Sequence, residues 1–387
     1  MAVTLRTETT GGAPEDDGGF QKEDEDGMVM VTVPMRSIRA RQVMAARGSV
    51  SCARQGRRRP TRPATRPQAA GEGDDQHQQK QQQDEEVKVV KNEEVLLSRF
   101  EEWKSRPAAS IEAKAFSVAE GTTGRTLGAS VAPLLTLGAG AFVAGYKGKP
   151  RKKENEGEYV LPVSLGGYEW GESQSVEAAS KMNEPAKPIE IYEFQGCPFC
   201  RKVRVAVSVL GINVLFRPSP QGGERFRPEA VAMGGKSQFP FMVDPNPASG
   251  EVQMYESEDI IRYLFENYGP GEVPRGLRWR NGTLANGLGL MGRMGAGSRA
   301  RPSLQPEKPL DLWGYEPSPF VVLVKEQLCE LELPYVQRTC PRGSPKRQAV
   351  FEKKGKFQVP YLEDPNTGAE LFESSAIVDY LNFVYGA

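Results

Sequence analysis

The C-terminal half of the chain contains one pattern written twice, and this repeat limits what the chain can fold into more than any other feature. Ile189–Gly269 aligns with Leu310–Gly386. Cys197-Pro198-Phe199 falls on Ser318-Pro319-Phe320, and Gln238-Phe239-Pro240-Phe241 falls on Gln358-Val359-Pro360-Tyr361. Asp244-Pro245-Asn246 falls on Asp364-Pro365-Asn366, Tyr255-Glu256-Ser257 falls on Phe372-Glu373-Ser374, and both copies end in Tyr-Gly. The offset is 121 at Cys197, 120 at Pro240 and 117 at Ser257, the slow drift that small loop deletions give a duplicated domain.

Each copy reads as the same succession of elements. Ile189–Phe194 alternates as a strand. Pro198 suits the first turn of a helix, whose buried side carries Val203, Val205–Val207 and Val209–Leu210. Gly211 ends that helix, and Asn213–Arg217 is a second strand. A polar loop and a short helix follow. Phe241–Asp244 and Glu251–Tyr255 then form a β-hairpin around a Pro-Asn turn. Ser257 caps a last helix with Ile260, Ile261, Leu264 and Phe265 on one face. The order β-α-β-α-β-β-α defines an α/β chain with two tandem thioredoxin-like domains, each with a mixed four-stranded sheet.

The motifs resemble the N-terminal, thioredoxin-like domain of glutathione S-transferases, and glutaredoxins. Cys197-Pro198-Phe199-Cys200-Arg201-Lys202-Val203-Arg204 resembles the glutaredoxin-type site. Gly234 to Pro240 resembles the loop before the cis-proline, and Met254 to Ile261 resembles the γ-glutamyl-binding motif. Two such domains behind a transit-like leader are similar to a group of plant and algal plastid proteins. The resemblance implies that Phe239, Pro240, Glu256 and Ser257 bind glutathione, as substrate or co-substrate. One departure is large. A complete glutathione S-transferase continues into an all-helical domain, whereas here only residues 270–309 precede the second copy.

Cys197 is placed at the N-terminus of the first helix, where unpaired backbone N–H groups stabilise a thiolate. Cys200 lies one turn in, within reach of a mixed disulfide on Cys197. Arg201, Lys202 and Arg204 add positive charge nearby. A redox pair is the expected role; a metal or iron–sulfur cluster bridging two chains, or an inert pair, are the alternatives. No metal site is assigned. Pro240 and Pro360 are both expected to be cis, setting the Phe239 N–H and C=O opposite the thiol. Glu256 and Ser257 would hold the γ-glutamyl carboxylate at a helix N-terminus, and Ser257 as a simple cap uses the same groups. The second copy has Ser318 and Val321 in place of the thiols and cannot cycle a dithiol. It is read as a degenerate module that binds or packs, with Cys329 a buried apolar residue and Cys340 at a strand end, free to react if exposed.

The rest of the chain has other compositions. Only 38% of the residues are hydrophobic, which is low for a wholly folded chain of 387, and the Gly and Pro counts of 41 and 30 are high. Residues 1–85 read as a disordered leader. Within it, 28–70 lacks Asp and Glu, is rich in Arg, and fits a transit peptide, with Met28, Met30 or Met35 as a candidate start. This predicts a chloroplast protein, with the mitochondrion as the alternative. Residues 86–187 read as a poorly defined linker region, in which 95–104 has helical spacing. The apolar stretch 127–146 contains Pro133 and much Gly and Ala, which argues for a connector or packed hairpin over a membrane anchor. Residues 271–308 read as a disordered linker between domain 1, residues 188–270, and domain 2, residues 309–387.

Counts exclude whole classes of chemistry. The one histidine, His77, lies in a polar tract, so no Ser-His or Cys-His pair is available to a folded domain. Five cysteines with one close pair do not make a secreted disulfide framework. The 50 basic and 50 acidic residues balance, which argues against nucleic acid as a partner. The expected activity is a glutathione-linked thiol–disulfide oxidoreductase acting on protein thiols or mixed disulfides. The alternatives are a non-catalytic glutathione- or protein-binding scaffold and a transferase of small electrophiles.

Overall fold

The computed structural model describes residues 92–111, 118, 121–152, 161–165, 168–275, 277 and 281–387. The expectations for the leader, the transit-like run and His77 lie outside the described residues.

In the first module, β4 (Ile189–Glu193) leads into α4 (Pro198–Leu210), β5 (Val214–Pro218), α5 (Phe226–Gly234), β6 (Phe241–Asp244), β7 (Val252–Met254) and α6 (Ser257–Tyr268). The second module repeats this as β8 (Leu310–Gly314), α8 (Pro319–Glu330), β9 (Tyr335–Thr339), α9 (Lys346–Lys354), β10 (Tyr361–Asp364), β11 (Ala369–Phe372) and α10 (Ser374–Tyr385). Local chemistry sets the ends. Gly211 closes α4 in the left-handed region at φ 67°, where a Cβ would be strained. The repeated Asp-Pro-Asn is structural. Asp244 Oδ2 accepts from Tyr263 and Tyr268 hydroxyls at 2.7 and 2.6 Å, tying the end of β6 to α6. Asp364 does the same with Tyr380 and Tyr385, at 2.6 and 2.5 Å.

The two four-stranded sheets join into one sheet of eight, ordered β11-β10-β8-β9-β5-β4-β6-β7. The seam is the antiparallel pair β5–β9, with Val214 opposite Gln337, Leu215 opposite Val336 and Phe216 opposite Tyr335. An offset of 121 makes Leu215 and Val336 equivalent, so a pseudo-twofold axis passes through that pair. Without this pairing, β5 and β9 would each present an open edge. The Phe216 and Tyr335 rings stack across it at 5.4 Å.

Beside the seam lies a buried ionic cluster. Glu316 Oε2 is 3.1 Å from Arg204 Nε and 3.0 Å from Lys325 Nζ, and its Oε1 is 3.5 Å from Arg201 Nε. Arg204 also pairs with Glu193. Arg204 and Lys325 are equivalent positions of the two modules, so the cluster straddles the axis. All five side chains are buried.

The segments expected to be linkers are built into the fold. Helix α1 (92–103) is longer than the helical spacing at 95–104 suggests. Its Phe100 and Trp103 meet Tyr380 of α10 edge-on at 5.8 and 5.3 Å, and Trp103 Nε1 donates to Asp379 at 2.8 Å. Within the apolar stretch, α2 (Thr123–Leu135) ends two residues beyond Pro133, and it packs on α8. Among the described residues no helix is long and apolar enough to cross a membrane. Residues 146–174 contribute β1 (Tyr146–Lys152), β2 (Leu161–Leu165) and β3 (Tyr168–Gln174), an antiparallel sheet ordered β1-β3-β2, and α3 (Val176–Ala179) follows. Arg342 and Arg347 of module 2 hold this sheet through Glu172, at 3.2 and 3.5 Å. Between the modules, α7 (Asn281–Met291) packs on α2 and α4, which corrects the expectation of disorder for residues 281–308. Small and Gly-rich residues hid it: Gly289 lies so close to Ala132 of α2 that a Cβ there would clash.

The cluster yields a test. Three cations hold the Glu316 carboxyl down at about 2 against the desolvation that would raise it. Its stabilisation is therefore full above the unfolded value, about 4.3, and is lost as pH falls toward 2. Burial raises Glu193, which titrates first on acidification and contributes in the opposite sense. Glu316→Gln should cost about 3–5 kcal/mol in denaturant unfolding at neutral pH. It should also flatten the loss of stability between about pH 4 and 2. An unchanged midpoint would mean the cluster does not hold the modules together.

Candidate thiol site

The sequence places Pro198 where its missing N–H costs nothing, and this leaves Cys197 as the N-cap of α4. Its Sγ accepts from the Cys200 backbone N–H at 3.2 Å and lies 3.8 Å from the Phe239 carbonyl oxygen. Phe239–Pro240 is cis, as is Val359–Pro360 in the second module. The cis peptide thus brings a backbone acceptor against the thiol.

The two thiols are pushed in opposite directions. A hydrogen bond from the Cys200 side chain is the largest influence lowering Cys197; the Cys200 N–H and the Arg204 charge add to it, against burial and Glu193. Burial raises Cys200 well above an ordinary thiol, and its bond to Cys197 adds to this. The arrangement is asymmetric: Cys197 is the more acidic thiol of the two, and Cys200 stands as its hydrogen-bond donor.

The cations near the site are less free than the sequence suggests. Arg204 faces inward. Its Nη2 donates to the Gln195 carbonyl at 3.3 Å and its Nη1 to that of Phe194 at 3.5 Å, bracing the turn that presents Cys197. Arg201 is held by Asn286 of α7 and by Glu316. Lys202 pairs with Glu258. Of these three cations, Arg204 is the one whose charge lowers Cys197. Cys197 itself is 5% exposed. The strand of chain after α7 lies over the preceding turn: Gln195 N–H donates to the Gly297 carbonyl at 3.2 Å, and a Cβ on Gly196 would strike Ser298.

Glu256 and Ser257 stand at the N-terminus of α6. Glu256 occupies the N-cap at φ 67°, and Ser257 is the first helical residue. This corrects the expectation that Ser257 is the cap. Glu256 Oε1 accepts from Gln238 Nε2 at 2.6 Å, joining the γ-glutamyl-type motif to the cis-proline loop. Arg227 lies over the Phe239 ring at 4.6 Å and donates to Ser237 Oγ at 3.1 Å. Cys197, Cys200, Phe239 and Pro240 therefore meet at one point, with Glu256 linked to them through Gln238. Sequence reading missed Glu193, Glu316, Asn286 and Arg227. Glu193 had a signal, a charged residue ending an apolar strand; Glu316 and Asn286 had none, because their contacts cross segments.

The second module keeps the scaffold and loses the thiols. Glu373 has φ 68° and accepts from Gln358 Nε2 at 2.5 Å, as in the first copy. Ser318 takes the Cys197 position and makes no side-chain cap. Cys329 is fully buried in α8 and raised well above the ordinary range by burial. Cys340 is sealed against the Gly314 carbonyl at 3.7 Å and pushed up to about 12.

Among curated proteins, none matches the chain. A glutathione transferase of the silkworm Bombyx mori, solved in complex with GTT, shares 28% identity over 23% of this chain and 39% of its own length, with a TM-score of 0.20. Residues 191–272 and 312–386 each match the family of the glutathione S-transferase N-terminal domain, so both modules are similar to that thioredoxin-like domain.

Proposed function

We propose that the chain is a glutathione-linked thiol–disulfide oxidoreductase of glutaredoxin type. The observation that carries this reading is the paired geometry at the start of α4: Cys197 accepts from Cys200, its thiol is lowered, and the Phe239 carbonyl stands 3.8 Å away. The Cys197 thiolate attacks the sulfur of glutathione in a mixed disulfide. An S–S bond forms to Cys197 as the old one breaks, and the substrate thiolate leaves and takes a proton from solvent. Cys200, losing its proton, then attacks Sγ of Cys197 and expels glutathione thiolate. Alternatively, a second glutathione resolves the adduct and returns Cys197. The first route leaves a Cys197–Cys200 disulfide, which two further glutathione thiols reduce with release of glutathione disulfide; the second consumes one glutathione and yields the substrate thiol and glutathione disulfide. Glu256, Ser257 and the Phe239 backbone are the groups suited to hold glutathione, its carboxylate at the α6 N-terminus. The acid-free run at 28–70 supports a plastid setting for this chemistry.

The thiol asymmetry sets the pH dependence. Alkylation of Cys197 should follow thiolate with a midpoint below the ordinary thiol value of about 8.5. Cys200→Ser replaces a thiol with a weaker acid beside Cys197, and should move that midpoint upward. Mass-spectrometric alkylation rates across pH give both values; an unshifted midpoint in the parent chain would remove the basis for the activity.

Turnover divides the roles further. Cys197→Ser should abolish reduction of a glutathione mixed disulfide, while Cys200→Ser should retain a measurable part, because free glutathione resolves the adduct. Cys329→Ala and Cys340→Ala should leave the rate unchanged, both thiols being sealed. Equal losses at Cys197 and Cys329 would transfer chemistry to the second module. A lowered Cys197 thiol with no turnover in the parent chain would favour the scaffold reading.

A further inference from the structure

The segments between and before the modules build a cavity of about 350 Å³ on one face of the first module. Its floor is Val205 of α4 and Ile261 of α6. Its walls are Leu135 and Leu137, at the end of α2, and Ala285 of α7. The volume suits a small molecule and is too small for a helix of a protein partner. None of the walls belongs to residues 191–272 or 312–386, so this pocket is a feature of the added segments.

The lining decides what it can hold. Among the described residues three polar side chains line it, and each has a partner inside the protein. Thr136 Oγ1 donates to the Ala132 carbonyl at 2.8 Å. Lys202 is paired with Glu258, and Asn286 Oδ1 accepts from Arg201. Ordered water needs several free polar partners, and this surface offers few. An apolar occupant loses nothing by replacing poorly held water, whereas a charged one would be desolvated without compensation.

The pseudo-symmetry shows that the space is not a general consequence of the duplication. The position of the second module equivalent to Val205 is Glu326 of α8, a buried carboxylate paired with Arg293, and the position equivalent to Ile261 is Val378. The module without thiols thus carries an ion pair where the module that has them carries an apolar floor. The hollow runs between α4 and α6, the helices whose N-termini carry Cys197 and Ser257.

We propose that this cavity is a binding site for a small, uncharged apolar molecule. The inference is independent of the redox reading, since it rests on the helix bodies and not on the thiols. The full chain should bind uncharged N-phenyl-1-naphthylamine saturably, with one site per chain by fluorescence titration. Ala285→Phe and Ala139→Phe, which fill the space from different segments, should each weaken binding roughly tenfold or more. Thermal melting selects the variants that fold. Leu284→Ser and Met294→Ser change exposed apolar side chains outside the lining and should leave binding unaltered. Cys197→Ser should bind as the parent does. Absence of saturable binding would overturn the proposal, as would binding that survives both filling variants or is lost with the surface ones. Tighter binding of anionic 1-naphthoate than of the neutral probe would overturn the ligand class.

Discussion

Two edge strands, β5 and β9, pair across a pseudo-twofold axis, and the rest of the molecule is arranged around that seam. Backbone hydrogen bonds alone would join them in any antiparallel register. The side chains choose the register: Phe216 on Tyr335, and the carboxylates of Glu193 and Glu316 between Arg201, Arg204 and Lys325. Burying five ionisable groups is costly, and removing one partner leaves an uncompensated charge. The cluster therefore ties each module to the presence of the other.

The seam also gives the module without thiols a part in the surroundings of Cys197. Glu316 comes from the second module and neutralises Arg204, which braces the turn before Cys197 and whose charge helps to lower that thiol. The second module thereby contributes to the electrostatics around Cys197. Its own cis-proline, Gln358 and Glu373 repeat the scaffold of the site, so the loss is confined to Ser318 and Val321.

The added helices serve the two modules differently. Helix α1 completes the core of the second by covering Tyr380, whereas α2 and α7 pack on each other through Gly289 and Ala132, and α7 also rests on α4, with a hollow left beside Val205 and Ile261. Small residues at their contact bring the backbones close, and their leucines are left facing outward or into the hollow. Leu284, Leu288 and Met291 of α7 are exposed at helical spacing, the reverse of a helix that buries its apolar face.

Most of each module was legible in the sequence, because its signals are local or repeated. Pro198, Gly211, the Asp-Pro-Asn turns and the spacing of Ile260, Ile261, Leu264 and Phe265 act within a few residues. The duplication made each element readable twice and pointed to both cis-prolines. Cys197 and Cys200 were legible as a pair because one helical turn separates them. Composition left a connector and a packed hairpin both open at 127–146, where α2 packs, and misled at the described part of 271–308. There Gly and Ala resemble a connector, yet they permit close helix packing, and a residue's partner across space leaves no mark in its own segment. Only the tertiary structure decided that the sheets fuse, that Arg201 is bonded by Asn286 and paired with Glu316 while Lys202 pairs with Glu258, and that a hollow remains beside the thiol helix. Those outcomes depend on contacts between residues tens of positions apart, and hydrophobic period and turn chemistry carry no information at that range.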